Sequence, residues 1–192
     1  MRGLLVVDVQ NDFCEGGALG VEGGTRVARG ISELIAKSGD DYAVVIASRD
    51  WHDADNDNGG HFAAIGDSPN FVTTWPVHCV ADTPGAAYHP ELSLPSDTVH
   101  VKKGQGVPAY SMFEGHTDDG RTVGEVLQHA GVTEVDVVGI AIDHCVRASA
   151  LDARQSGCGV RVLDTLVAAV SPETEKTARQ EMAEAGVVFA RD

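Results

Sequence analysis

The sequence of 192 residues is poor in positive charge, in aromatic residues and in cysteine. It has 14 Lys and Arg residues against 29 Asp and Glu residues, which gives a formal net charge of −15. This charge repels nucleic acids and anionic lipids, so we expect neither as a partner. The four cysteines do not make a disulfide framework in a chain of this length, which favours a cytoplasmic protein.

Long apolar runs are also missing from the sequence. No window approaches the roughly 18 consecutive apolar residues of a membrane span. The apolar run at the N-terminus meets an acidic residue after a few positions, so we expect it to be a strand rather than a signal peptide. The hydrophobic fraction of 43% is nevertheless enough for a packed core. Because no repeat, low-complexity linker or change in composition divides the chain, we expect one domain over residues 1–192.

Aliphatic runs alternate with helical patterns along most of the chain. Strands are predicted at residues 4–9, 42–48, 98–102, 135–141, 160–163 and 187–190. Helices are predicted at residues 25–38, 123–130, 144–155 and 172–185. This alternation predicts an α/β fold in which helices cover both faces of a parallel sheet.

Residues 50–97 interrupt this alternation, because they show almost no periodic pattern and are rich in Gly, Pro, Asp, Asn and His. An irregular segment of this length in a compact domain is usually functional or is ordered by something it binds. The alternative is a disordered insertion.

Ionisable residues stand where the predicted strands end. Asp8 ends the first strand, Asp50 follows the second and Lys103 follows the third, while residues 143–145 (Asp-His-Cys) follow the fourth. The carboxyl ends of parallel strands meet at one edge of the sheet, where open α/β sheets bind their ligands. We therefore expect these groups to share one site.

Cys145 is the candidate nucleophile, because it follows a buried strand at the predicted start of a helix, where a thiolate is favoured. The alternative is a small buried apolar residue, as most free cysteines are. The side chains of His144 and Cys145 point in different directions, because consecutive residues of a helix do not face each other. Asp8, at the end of another strand, is therefore the expected proton acceptor. If the ammonium group of Lys103 lies about 4 Å from the sulfur, it attracts a thiolate by about 4 kcal/mol at an effective dielectric near 20. We therefore expect Lys103 to lower the pKa of the thiol.

One carboxylate and three imidazoles form a second candidate cluster: Asp50, His52, His61 and His78. Asp50 and His52 project to the same side of an extended chain. This set of ligands suits Zn²⁺, Fe²⁺ or Mn²⁺ better than Ca²⁺ or Mg²⁺. The alternative is that these loop histidines are merely solvated.

Three aromatic residues, Phe13, Trp75 and Tyr110, lie in segments rich in Gly and Pro near the expected crevice. Only ten aromatic residues are present in the chain, two Trp, three Tyr and five Phe. These three side chains are therefore candidates for lining a pocket for a flat ring, although ordinary packing explains each of them almost equally well.

Six motifs together resemble a known family. They are VDVQNDFCEGGALGVEGG at 7–24, RDWH at 49–52, WPVHCV at 75–80, KKG at 102–104, AYSMFEG at 109–115 and DVVGIAIDHCVRASALDA at 136–153. In this order they resemble the nicotinamidase/pyrazinamidase branch of the isochorismatase-like cysteine hydrolases. The stretch between His52 and His61 departs from the family, because it is longer and more acidic than expected.

The resemblance implies a three-layer α/β/α fold with a six-stranded, mainly parallel sheet in a Rossmann-like order. It implies hydrolysis of nicotinamide to nicotinate and ammonia, with one divalent transition metal (Zn, Fe or Mn) as cofactor. The positions that match the family's functional residues are Asp8, Lys103 and Cys145 for catalysis, Ala141 and Cys145 for the oxyanion hole, Asp50, His52, His61 and His78 for the metal, and Phe13, Trp75, Tyr110 and His144 for the pyridine ring. The resemblance also implies a cis peptide between Ile140 and Ala141.

Two other functions stay open at this point. A metal-free relative, such as an isochorismatase or a carbamoyl-amide hydrolase, would not need the Asp and His ligands. A metal-dependent binding protein of the same fold would not need an activated thiol. We expect the protein to be a monomer or a homodimer.

Overall fold

The computed structural model describes residues 1–191, and within them the chain forms six strands and four α-helices. The strands are β1 (Arg2–Val7), β2 (Val44–Asp50), β3 (Val99–Lys103), β4 (Glu134–Ile140), β5 (Gly159–Ala168) and β6 (Val188–Ala190). The helices are α1 (Gly24–Ser38), α2 (Val123–His129), α3 (Cys145–Gln155) and α4 (Pro172–Glu184).

All six strands form one sheet in the order β3-β2-β1-β4-β5-β6, and every neighbouring pair is parallel. The expected α/β fold with a Rossmann-like strand order is therefore confirmed. The order reverses between β1 and β4, so the loops that leave these two strands diverge. A crevice forms at such a point, outside the carboxyl ends of the strands.

Helices cover the sheet on both faces, because alternate side chains of each strand point to opposite sides. Leu4 and Val6 of β1 belong to the cluster that α1 covers, and Leu5 and Val7 belong to the cluster that α2, α3 and α4 cover. All four side chains are fully buried. This explains why β1 is a continuous aliphatic run rather than an alternating one.

The predicted boundaries shift by a few residues, and one strand is longer than expected. The sequence predicts that the fifth strand ends at Leu163, because Asp164 and Thr165 break the apolar run. In the structure β5 continues to Ala168, and its pairing with β4 changes register between Val137 and Gly139. This irregularity lets the polar pair interrupt the strand without ending it.

The segment between β2 and β3 contains only one short 3₁₀ turn, Pro84–Ala86, as its irregular composition predicts. Isolated bridges hold it together, and two of them pair His52 with Val80 and Phe62 with Trp75. Among residues 1–191 no helix is long and apolar enough to cross a membrane.

Candidate active site

The carboxyl ends of β1 to β4 bring the predicted catalytic groups together. Lys103 Nζ lies 3.0 Å from Asp8 Oδ2 and 3.7 Å from Cys145 Sγ, and it also forms an ion pair with Asp50. One polar atom from each of Asp8, Asp50 and Cys145 lies within 4.8 Å of the others. The expectation that these strand ends share one site is therefore correct.

Burial and the charges of neighbouring groups together set the pKa values in the cluster of Asp8, Lys103 and Cys145. Asp8 and Lys103 are fully buried, and the Ser48 hydroxyl donates a hydrogen bond of 2.7 Å to Asp8 Oδ1. Burial raises the pKa of Asp8, although Lys103 and Ser48 oppose this effect. Burial lowers the pKa of Lys103, but Asp50 and Asp8 outweigh it and keep the pKa well above its ordinary value. Lys103 is therefore an ammonium ion, and Asp8 is a stronger base than an exposed aspartate.

Cys145 is the first residue of α3, at the junction of strand and helix that the sequence predicts. The expected low pKa of its thiol is wrong. Burial raises the pKa of Cys145 well above its ordinary value, and the attraction of Lys103 is outweighed by this burial together with the charges of Asp8 and Asp50. The resting sulfur is thus a thiol, and an acceptor must take its proton when it reacts.

The predicted metal ligands also meet in the structure. Nitrogen atoms of His52, His61 and His78 lie within 4.8 Å of one another, and all three side chains are buried. Asp50 Oδ2 lies 3.6 Å from His52 Nε2 and 3.8 Å from His78 Nε2. The long stretch before His61 therefore does not prevent this histidine from joining the cluster.

The protonation of these rings fits a bound cation. His52 Nδ1 donates to the carbonyl of Gly104 at 2.8 Å, and His78 Nδ1 donates to the carbonyl of Pro76 at 2.7 Å. A carbonyl only accepts, so in the neutral rings both Nε2 atoms present lone pairs towards the Asp50 carboxylate. His52 Nε2 and both nitrogens of His61 are buried without a hydrogen-bond partner among the described residues. Burial lowers the pKa of His61 to about 4, which keeps its ring neutral and able to bind a metal.

Asp50 carries a negative charge, which also favours a bound cation. Burial raises the pKa of Asp50, but the ammonium group of Lys103 is the largest of the effects that oppose burial, and the pKa lies well below its ordinary range. One carboxylate and three buried imidazoles, two of which have nitrogens without a hydrogen-bond partner in the described residues, form a set of donors typical of a divalent transition metal site.

A cavity of about 290 Å³ lies beside both clusters and is lined by Cys145 as well as by His61 and His78. The four residues expected to hold a ring, Phe13, Trp75, Tyr110 and His144, all line it. The Trp75 indole N–H donates to the Tyr110 hydroxyl at 3.0 Å, and its ring meets that of His144 edge-on at 5.1 Å between centroids. These contacts give the cavity a rigid aromatic wall suited to a flat ligand.

The loop after β4 forms the remaining wall. The peptide between Ile140 and Ala141 is cis, as expected, and Ala141 lines the cavity beside Cys145. The N–H of Cys145 has no acceptor within its own helix, since it begins α3. Both backbone groups are thus placed at the cavity that holds the thiol.

Sequence reasoning missed several residues that shape the site. Residues 18–21, Phe71 and Val170 line the cavity, and Ser48 binds Asp8. Gln10 holds the backbone of Asp50, because its side chain accepts from the Asp50 N–H at 2.8 Å and donates to the Asp50 carbonyl at 2.9 Å. Ser48 alone had a usable signal, since it is a polar residue two positions before Asp50 in an aliphatic strand.

Fold and site together define an α/β protein with a buried cluster of thiol, ammonium and carboxylate next to a candidate metal centre. The family model of the isochorismatase domain matches residues 2–191, and the chain belongs to this family.

Two relatives are similar to this chain over nearly their full length. The nicotinamidase/pyrazinamidase of Mycobacterium tuberculosis is 47% identical over 187 residues, which cover 97% of each chain. The nicotinamidase of Escherichia coli is 35% identical over 205 residues, which cover 98% of this chain and 93% of the relative.

Two solved structures are also similar in fold to this chain. The pyrazinamidase of Pyrococcus horikoshii in complex with zinc has a TM-score of 0.85 at 37% identity, covering 100% of this chain and 99% of the other. PnC1 from L. infantum in complex with nicotinate has a TM-score of 0.83 at 32% identity, covering 100% and 92%.

Proposed function

We propose that the protein is a nicotinamidase, an amidohydrolase that converts nicotinamide to nicotinate and ammonia in NAD salvage and also accepts pyrazinamide-like amides. The observation behind this proposal is the buried cluster of Asp8, Lys103 and Cys145 beside an aromatic cavity that also contains His61 and His78. The similarity to nicotinamidases supports nicotinamide as the substrate, and the similarity to a structure with bound nicotinate supports nicotinate as the product.

In the proposed reaction, Asp8 accepts the thiol proton as the sulfur of Cys145 attacks the carboxamide carbon. Asp8 then gives this proton to the amide nitrogen, the C–N bond breaks, and ammonia leaves behind a thioester. Water attacks the thioester carbon while Asp8 accepts one of its protons and passes it to the sulfur. The C–S bond breaks, and nicotinic acid is released and ionises. The raised pKa of Asp8 supports its role as both base and acid.

Charge develops on two atoms during these steps, and different groups stabilise each one. Lys103 stabilises the thiolate as it forms, because its ammonium group stays protonated 3.7 Å from the sulfur. We assign the backbone N–H groups of Ala141 and Cys145 to the carbonyl oxygen of the tetrahedral intermediate, as in other oxyanion holes.

We assign Asp50, His52, His61 and His78 to one divalent transition metal ion, with zinc, iron and manganese as candidates. When bound, the ion supplies a Lewis-acid contact for the ring nitrogen of the substrate. The aromatic wall holds the ring through Phe13, Trp75, Tyr110 and His144. We further propose that residues 1–192 form one cytoplasmic domain, a monomer or homodimer without nucleic-acid or membrane partners.

Ammonia release from nicotinamide tests this function. We expect release by the zinc-loaded wild type and by Cys158→Ala, since Cys158 is a buried free cysteine outside the cavity. Cys145→Ala should retain less than about a hundredth of the turnover, because it has no nucleophile. Binding of nicotinamide without ammonia release would show a binding protein instead.

The role of the metal is tested with a second amide. Chelation should reduce turnover of nicotinamide much more than that of benzamide, which has no ring nitrogen. Full activity on nicotinamide after complete removal of metal would show a metal-free hydrolase and contradict this part of the proposal.

A further inference from the structure

We propose that Asn58 is the positioning residue of the metal site, because it fastens the loop of His61 to the loop that orients His52. This inference rests on the metal site of the proposed function. It concerns residues 53–60, the stretch that is longer and more acidic than the family resemblance predicts.

Asn58 is unusual among the residues of this stretch, because its side chain is fully buried while most of its neighbours are exposed. Its Oδ1 accepts from the N–H of Asp53 at 2.8 Å and from the N–H of Gly106 at 3.1 Å. Its Nδ2 donates to the carbonyls of Asp53 and Asn56 at 3.0 and 3.3 Å. The amide thus uses two acceptor and two donor positions, which is all that a side-chain amide offers.

The backbone of Asn58 also explains why an asparagine stands here. Its φ angle of 50° lies in the left-handed region, which asparagine tolerates better than most residues other than glycine. The carbonyl of Asn58 accepts the N–H of His61 at 3.3 Å, so the turn at Asn58 leads directly to the ligand. A change in this turn would therefore move His61.

The bond to Gly106 connects this turn to a second loop that serves the same site. Gly106 follows β3, two residues after Gly104, whose carbonyl accepts His52 Nδ1–H. The two loops also touch, since a Cβ atom at Gly59 would lie 3.1 Å from Pro108 Cδ. The buried amide of Asn58 thereby links the turn that precedes His61 to the loop whose Gly104 carbonyl orients His52. The Gly104 carbonyl is hydrogen-bonded to the His52 ring, and the loss of such a partner usually changes metal affinity 10- to 100-fold. Asn58 acts one contact further out, so we expect an effect at the lower end of this range.

The test compares Asn58→Gly with Asn70→Gly. Glycine keeps the left-handed backbone at position 58 and removes only the side chain, so the turn can still form. Asn70 is the matched control in the same segment. Its Oδ1 accepts the N–H groups of Val72, Thr73 and Thr74, and within the described residues its side chain forms no hydrogen bond with the three histidines, with residues 53–60 or with residues 104–106.

The measurement is the Kd for Zn²⁺ of the purified full chain, determined by competition with a chromogenic chelator. We expect Asn58→Gly to raise this Kd at least about tenfold and Asn70→Gly to leave it within about twofold. Hydrogen exchange of the Gly106 N–H should accelerate only in Asn58→Gly, because this N–H then loses the Asn58 oxygen that accepts it. The melting temperatures of the metal-free proteins, measured in parallel, report on folding separately.

An unchanged Kd in Asn58→Gly, with the wild type binding one zinc ion tightly, would overturn the role of Asn58 and leave the metal site standing. Equal weakening in both variants would also overturn it, since the loss would then be general to the segment. A wild type that binds no zinc would overturn the metal site itself along with this role.

Discussion

The ammonium group of Lys103 lies 3.7 Å from the sulfur of Cys145, and both side chains are buried. At about 4 Å and an effective dielectric near 20, two opposite charges attract by about 4 kcal/mol. This attraction does not suffice to ionise the resting thiol, because burial raises the pKa of Cys145 more than Lys103 lowers it. In the proposed mechanism, Lys103 therefore stabilises the thiolate that forms during the reaction rather than one that exists beforehand.

Replacing Lys103 tests this relationship. Lys103→Met should slow alkylation of Cys145 by iodoacetamide at least about tenfold at pH 8, since the thiolate loses its counter-charge. Lys102→Met is the control, because Lys102 belongs to the opposite face of β3 and pairs with Asp118 at 2.9 Å. Alkylation is followed by mass spectrometry at several pH values.

Stability must be measured in the same series. Lys103→Met leaves Asp8 and Asp50 without their cation, and removing one partner of a buried ion pair costs about 3–5 kcal/mol. The comparison is therefore made at a temperature where circular dichroism shows both variants folded. Equal alkylation rates in wild type and Lys103→Met would contradict the role of the ammonium group.

Ser48 is expected to act through Asp8 rather than on the substrate. Its hydroxyl holds Asp8 Oδ1, so that Oδ2 stays at Lys103. Ser48→Ala should lower kcat about tenfold with KM within about twofold, since the base loses its orientation but the cavity does not change. Ser48→Thr keeps the hydroxyl and should restore most of the rate.

Ser149 provides the control for Ser48. It is another fully buried serine, and its hydroxyl accepts the Met112 N–H at 3.0 Å but forms no hydrogen bond with Asp8, Lys103 or Cys145 in the described part of the chain. Ser149→Ala should destabilise the protein by about 1–3 kcal/mol, as an unsatisfied buried donor does, with little effect on kcat. Equal loss of kcat in both alanine variants would mean that Ser48 is only structural.

The positions of the strands and of the proposed catalytic residues follow from the sequence for a simple reason. An aliphatic run such as that of β1 is visible locally, and a polar residue after it, such as Asp8, is visible as an interruption. The parallel order then requires Asp8, Asp50 and Cys145 to meet at one edge. Residue types alone also indicate a metal site at Asp50 and the three histidines.

The remaining features depend on contacts between distant parts of the chain. Ser48 and Asp8 are 40 positions apart, and Asn58 and Gly106 are 48 positions apart. No local pattern predicts such pairs, because they exist only after the strands have packed. The pKa of Cys145 was mispredicted for a related reason, since the attraction of Lys103 could be estimated from the sequence but the degree of burial could not.

Glu15 closes the loop that forms one wall of the cavity, and its contribution to stability should depend on pH. Its carboxylate accepts hydrogen bonds from the Thr25 hydroxyl at 2.7 Å, from the Thr25 N–H at 2.9 Å and from the Gly23 N–H at 2.7 Å. These bonds lower the pKa of Glu15 to about 2. Residues 18–21, which line the cavity, lie between Glu15 and Gly23.

The folded-state pKa of Glu15 is lower than the unfolded value of about 4.3, so its charge stabilises the fold above that value. The stabilisation is lost as the pH falls from about 4.5 towards 2. Because the carboxylate is exposed, we expect its charge to contribute only about 0.5–1 kcal/mol to the free energy of unfolding, which corresponds to a few degrees in Tm. The Tm difference between wild type and Glu15→Gln should therefore be full at pH 6 and shrink below pH 4.5. Glu22→Gln, which removes none of these bonds, should show no such dependence, and a difference for Glu15→Gln that does not vary with pH would contradict the carboxylate's role.

Gly104 allows the orientation of His52 to be tested without changing any of the four proposed metal ligands. Gly104 has a φ angle of 82°, and a Cβ atom there would lie 2.6 Å from Cε1 of the His52 ring, whose Nδ1 donates to the Gly104 carbonyl. Gly120 has a φ angle of 84°, and a Cβ atom there would meet nothing within 4 Å. Alanine at either position incurs a similar backbone cost of about 1 kcal/mol, so the two variants differ mainly in the contact with His52. We expect similar losses of Tm from the backbone, but only Gly104→Ala should raise the Kd for Zn²⁺ about tenfold or more and increase KM for nicotinamide. If both variants bound zinc as tightly as the wild type, the orientation of His52 by Gly104 would have no part in holding the metal.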